Sequence, residues 1–201
     1  MNPESSNKGG EIDSLVIRKM VYGSLMAALI AVGAFIAVPI GPVPIVLQNL
    51  FVMLAGLLLG GRWGCISVAI YLLAGALGLP VFAGGSGGIA RLVGPTGGYL
   101  IGFAPAALVI GWLSGRGGGR FIVDVAAMVV GTAIIYAIGV TWLGVVADLS
   151  PKSALLVGMV PFLPGDAVKI IIAAIIARKL RFRIGLFPSA SDESGAAAYR
   201  D

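Results

Sequence analysis

Histidine is absent from the 201 residues of this chain, and cysteine occurs once, at Cys65. The first absence removes the usual general base near neutral pH and the commonest protein metal ligand. The second rules out an intramolecular disulfide and a cysteine-built zinc site, so no cofactor is expected. Charge is scarce as well: 11% of the residues are Asp, Glu, Lys or Arg, and only nine are acidic. Within probable membrane depth the acids reduce to Asp166 and, at most, Asp124, too few for a chain of proton-relaying carboxylates. No Gly-x-x-x-x-Gly-Lys-Ser/Thr loop occurs, so any ATP that drives this protein must be hydrolysed by another polypeptide. No nucleophile has a base beside it in sequence, and an enzyme is not expected.

What is plentiful is apolar. Hydrophobic residues make up 58% of the chain and mean hydropathy is +1.02, far more apolar surface than a soluble domain of this length could bury. Crossing a bilayer takes roughly 20 apolar residues. The available stretches are 20–38, 46–59, 63–77, 99–113, 121–146 and a last one ending near Ile176. They predict an all-α integral membrane protein with six transmembrane helices, two of them short, and an irregular Gly/Pro-rich segment between helices 3 and 4. Residues 1–14 are polar and partly acidic, unlike a secretory signal. The expected organisation is a cytosolic segment 1–19, a membrane domain 20–183, and a disordered cytosolic tail 184–201 rich in Ser, Ala and Gly. With six spans, Lys8, Arg18, Lys19, Arg62, Arg116, Arg120, Arg178, Lys179, Arg181, Arg183 and Arg200 fall on one side and only Arg91 and Lys152 on the other. Basic loops resist translocation, which puts both termini in the cytoplasm of a cell-membrane protein. The same asymmetry and anionic lipid account for a pI near 9.7, and nucleic acid is not an expected partner.

Against this apolar background, Pro161-Phe-Leu-Pro-Gly-Asp166-Ala-Val-Lys169 places a carboxylate and an ammonium three residues apart. Lys169 lies roughly 13 Å along a helix from Arg178, close to mid-membrane. An unpaired charge there costs at least ~2.5–3.5 kcal/mol. Asp166 sits one helical turn away on the same face, and Pro164-Gly165 marks a helix start. Either Asp166 caps that helix with Lys169 as its local partner, or the two line a polar cavity for a ligand that carries both donors and an anion.

Residues 78–99 hold too many Gly and Pro for a regular helix and too many apolar side chains for an exposed loop. They read either as an outer loop packing its own apolar residues or as a pocket wall that presents Arg91, Thr96 and Tyr99. The connection Val38-Pro-Ile-Gly-Pro-Val-Pro-Ile45 is stiff and uncharged and would make a lid. Gln48, just inside the next span, should face inward, toward either another helix or a ligand. In the first span Gly23, Ala27 and Ala31 form a small-residue stripe that packs internally or docks a partner.

Gly41-Pro-Val-Pro-Ile, Leu54-Ala-Gly-Leu-Leu-Leu-Gly, Gly78-Leu-Pro-Val-Phe, Gly94-Pro-Thr-Gly-Gly-Tyr and Phe162-Leu-Pro-Gly-Asp-x-x-Lys169 occur in this order, and the chain from about Met20 to Arg178 resembles the BioY family. Members are the biotin-specific substrate-binding S components of energy-coupling factor (ECF) transporters. The resemblance implies capture of biotin from outside, with a transmembrane coupling protein (T component) and ATPase subunits as partners. It makes Asp166 and Lys169 the leading ligand contacts, with Arg91, Gln48, Thr96 and Tyr99 as further candidates, and suggests that Ala27 and Ala31 meet the coupling protein. Alternatives are another vitamin, such as riboflavin or thiamine, on the same scaffold, or a vitamin transporter that works without an ATPase.

Overall fold

The computed structural model describes residues 3–38 and 43–184. The tail from 185 and the middle of the proline-rich connection, 39–42, lie outside the described residues. A helix α1 (Pro3–Phe35) leads into a two-residue strand β1 (Ala37–Val38), which pairs antiparallel with β2 (Ile45–Val46) through Ala37 opposite Val46 and Val38 opposite Ile45. This pair ties the two ends of the proline-rich connection together. Helices α2 (Gln48–Leu59) and α3 (Gly61–Ala76) follow, joined by Gly60. Gly60 has φ +79°, where a side chain would be strained, so the chain turns within one residue and α3 packs on α2. The Gly/Pro-rich segment contains a single short helix α4 (Ile89–Val93) and leads into α5 (Gly97–Arg116) and α6 (Phe121–Val146). Helix α7 (Pro151–Gly158) and a 3-10 turn (Val160–Phe162) lead into α8 (Leu163–Ile184).

Six transmembrane helices are not what the structure holds. Four stretches are long and apolar enough to cross a bilayer: Val16–Phe35, Gly97–Arg116, Phe121–Val146 and Pro151–Arg181. Helices α2 and α3 have 12 and 16 residues, short of the ~20 a span requires. The physical reason for the difference is burial. Met53, Ala55, Leu57 and Leu58 of α2 are enclosed by α1, α3, α5 and α8, so that helix is apolar because it fills the bundle core. Hydropathy alone reads a core helix and a lipid-facing span alike. The long helices carry their exposed apolar residues outward: Ile122 and Val145 on α6 are each 79% exposed, as suits contact with hydrocarbon. Helix α1 runs without a break from Pro3 to Phe35.

One polar cluster pins the helices at the end away from Asp166. Asp124, near the start of α6 and 1% exposed, receives a hydrogen bond from the Ser114 hydroxyl of α5. Its other oxygen lies 3.2 Å from Arg181 Nη1 of α8. Arg181 Nη2 also donates to the Leu57 carbonyl of α2 at 3.1 Å and to Ser114 at 2.9 Å. Four helices thus meet at one guanidinium, whose planar fork suits several acceptors at once. Replacing Arg181 with Met would leave the Asp124 carboxylate buried without its cation. We expect Arg181→Met to lower unfolding stability by about 3–5 kcal/mol, read from denaturation in detergent. An added Asp124→Asn change should restore a good part of that loss, and a double variant no better than the single one would show that the two residues do not act as a pair.

Candidate ligand-binding site

Pro164 falls in the first turn of α8, where its missing N–H costs no hydrogen bond. Helix α8 opens at Leu163, so Asp166 stands inside the first turn and does not cap it. A carboxylate there is favoured by the helix dipole. Asp166 and Lys169 are 3% and 8% exposed. Lys169 Nζ lies 2.9 Å from Asp166 Oδ1. The Tyr136 hydroxyl of α6 donates to Asp166 Oδ2. Both carboxylate oxygens are therefore engaged, while the ammonium retains donors beyond the one spent on Asp166.

The pair borders a cleft whose empty space, open mouth included, is about 670 Å³. Val43, Pro44 and Val46, from the end of the proline-rich connection, form one side. Phe82 and Ala83 of the Gly/Pro-rich segment, with Leu100, Phe103, Ile135 and Phe162, supply apolar wall. Gln48, Arg91, Thr96, Tyr99, Asp166 and Lys169 all line this same cleft, so the six side chains proposed as ligand contacts come together from α2, α4, α5 and α8 and the turn before α5. Their states differ. Gln48 is 2% exposed, and its Nε2 has no hydrogen-bond partner, which leaves a buried donor at the cleft wall. Such a group costs about 1–3 kcal/mol unless a ligand or water satisfies it. Arg91 is exposed and reaches the Ala83 carbonyl only at 3.5 Å. Thr96 precedes α5 and its side chain makes no capping bond.

Tyr99 offers its ring, because its hydroxyl donates to the Gly158 carbonyl at the end of α7, 2.8 Å away. The ring is seated by Gly139 of α6: a Cβ at that position would stand 2.3 Å from it. The segment 78–99 both packs against the bundle and contributes residues to the cleft lining. Phe82 tucks under Tyr71 in an edge-to-face contact 5.5 Å between centroids, and Gly88 N–H donates to the Gly75 carbonyl at 2.7 Å. Leu79, Ile89 and Val93 remain exposed.

Sequence reasoning missed Tyr136, Asn49, Phe103 and Phe162, which share the cleft. Tyr136 carries the single polar group of the run Ala133-Ile-Ile-Tyr-Ala-Ile138, the one signal that could have raised it. Ala27, expected to meet a coupling protein, is buried in the bundle, and Ala31 is half-buried against the same core. Among the side chains of that helix whose burial is described, from Val16 on, Ser24 and Ala28 are the exposed small ones. A second, larger groove runs between α6, α7 and α8, bordered by Val129, Ala133, Ala137, Val145, Leu155 and Leu163. Its lining is mostly apolar, with Thr132, Tyr136, Thr141 and Asp166 as its polar members, and it opens among exposed residues of the spanning helices; the smaller cleft, where Gln48, Arg91, Thr96, Asp166 and Lys169 converge, is the better ligand site. Among the described residues no group of three His, Cys, Asp or Glu could hold a metal ion.

An apolar helix bundle with a cleft at which Gln48, Asp166 and Lys169 converge is the arrangement of a membrane-embedded binding protein. The chain belongs to the BioY family, whose pattern it matches over residues 4–185. It is 46% identical over 166 residues to the biotin transporter BioY of Thermotoga maritima, covering 82% of this chain and 96% of that one. To the biotin transporter BioY of Rhizobium etli it is 42% identical over 183 residues, covering 86% and 97%. The crystal structure of the S-component for biotin from an ECF-type ABC transporter superposes with a TM-score of 0.77 at 33% identity, covering 90% of this chain and 94% of that one.

The division of labour within Tyr99 can be tested. Tyr99→Phe should lower stability by about 1 kcal/mol through the lost bond to Gly158 and leave ligand affinity within about threefold, measured by thermal unfolding and titration. A loss of affinity beyond tenfold would place the hydroxyl on the ligand.

Proposed function

We propose that this protein is the biotin-binding S component of an ECF transporter, a non-catalytic subunit that captures the vitamin for uptake. The observation that carries this reading is the buried Asp166–Lys169 pair facing a cleft with apolar walls, in a chain of the BioY family. Biotin has two ureido N–H donors, a strong ureido acceptor, an apolar thiophane and valeryl body, and a carboxylate. Asp166 is suited to the N–H groups, Lys169 and Arg91 to the ureido oxygen or the carboxylate, and Gln48 Nε2 to any acceptor that reaches the cleft wall. Phe82, Phe103 and Phe162 would cover the apolar body. An analogue that lacks a matching polar group would leave a charge buried and unpaired, so the same residues would set specificity.

No ATP-binding loop exists in the chain, so energy for release inward comes from separate ATPase subunits through a transmembrane T component. Docking of that component on the first helix would use Ala31, which keeps part of its surface, with Ala28 and Ser24, more than the enclosed Ala27. Both termini then lie on the cytoplasmic side: four spans leave them on one face, where Arg116, Arg120, Lys179 and Arg181 also gather.

Purified protein in detergent should bind biotin stoichiometrically, and Asp166→Asn should weaken binding by more than about 2 kcal/mol in a calorimetric titration. Tighter binding of riboflavin or thiamine than of biotin would overturn the choice of vitamin, and an unchanged affinity in Asp166→Asn would remove Asp166 from the site.

A further inference from the structure

Asp166 has two oxygens, and only one of them is held by Lys169. The other is held by Tyr136, a residue on a different helix, 30 positions earlier in the chain. Tyr136 is 7% exposed and stands in the wall that separates two spaces: it borders the cleft on one side and the apolar groove between α6, α7 and α8 on the other. Asp166 borders the same two spaces. The rest of that groove presents the carboxylate with aliphatic neighbours such as Val140, Leu163, Ala167 and Ile170. Thr132 is the other buried polar side chain there, and its hydroxyl has no hydrogen-bond partner.

We infer that Tyr136 is the positioning residue of this site: its hydroxyl, by fixing Asp166 Oδ2, aims the Asp166–Lys169 pair into the cleft. The inference rests on the biotin-capture reading for its ligand but on the geometry alone for its mechanism. A carboxylate in a place this dry keeps its charge only while its lone pairs are met. Lys169 shares the helix of Asp166 and fixes the distance between the two charges, but a partner on the same helix cannot fix where the pair points. That requires a contact from another element, and the Tyr136 hydroxyl supplies it across the seam between α6 and α8. Without the hydroxyl, Oδ2 would face the apolar groove unpaired, and the side chain would turn toward Lys169 or the unpartnered Thr132 hydroxyl and away from the ligand. Tyrosine also suits the wall itself, since its ring closes the seam with apolar carbon while its polar tip reaches the acid.

Tyr136→Phe keeps the ring and removes only the hydroxyl. In ligand-free protein, the infrared carboxylate stretch that disappears in Asp166→Asn should shift in Tyr136→Phe. Biotin binding by Tyr136→Phe should weaken about 10- to 100-fold, the range for a hydrogen bond to a charged group. In the Asp166→Asn background the same change should cost less than about threefold, because a residue that acts through another has nothing left to act on. An unmoved infrared band, or an equal penalty in both backgrounds, would overturn the proposal and leave Tyr136 as packing. If wild-type protein fails to bind biotin, the choice of vitamin is wrong, and the infrared band still decides the role of Tyr136.

Discussion

Two opposite charges held together in oil are the constraint on which this structure turns. A carboxylate or an ammonium alone at that depth would be driven out or neutralised, and a buried pair recovers its desolvation cost only when the remaining lone pairs and protons are also met. Here α8 supplies both charges on one turn and α6 supplies a phenol to the free oxygen. What remains unspent is the donor capacity of Lys169 and of the buried Gln48 Nε2, two residues that border one cleft. A site in this condition is ready for a ligand rich in acceptors that brings donors of its own.

The rest of the fold can be understood as support for that turn. The charged ends of α6 and α8 and the carbonyl of Leu57 on α2 are joined through Arg181, far along α8 from the cleft. Helix α8 is thus anchored at both ends, by Arg181 at one and by the Tyr136 bond at the other. Between these anchors the bundle packs apolar, with α2 enclosed at its centre. Part of the cleft wall is irregular chain, the end of the proline-rich connection and the Gly/Pro-rich segment, whose short helix α4 packs on α3 and α5. Irregular backbone of this kind can move without unfolding a helix.

Much of this was legible in the sequence, and the limits of legibility have physical causes. Asp166 and Lys169 stood out because charge is so costly among apolar neighbours, and Arg91, Thr96 and Tyr99 because glycine and proline interrupt the helices around them. All line one cleft with Gln48. The number of spans was misread because α2 is as apolar as a membrane helix while serving as packed core, and because α3, which exposes Ile66, Ile70 and Leu73, is apolar but only 16 residues long. The Tyr136 contact was hidden because a tyrosine within an apolar helix has no local signature, and its meaning depends on which helix stands opposite. The same holds for Arg181, which the sequence places among interfacial basic residues and the structure places on a buried aspartate. Ala27 belongs to a stripe that could face inward or outward, and only the packing of α1 on α2 and α3 decides.

A structure of the protein loaded with biotin tests the central claim most directly. The account predicts polar atoms of biotin within hydrogen-bond distance of both Asp166 and Lys169, with the Tyr136 hydroxyl still on the second Asp166 oxygen. Biotin bound elsewhere, with the acid and the amine still paired only to protein, would contradict it.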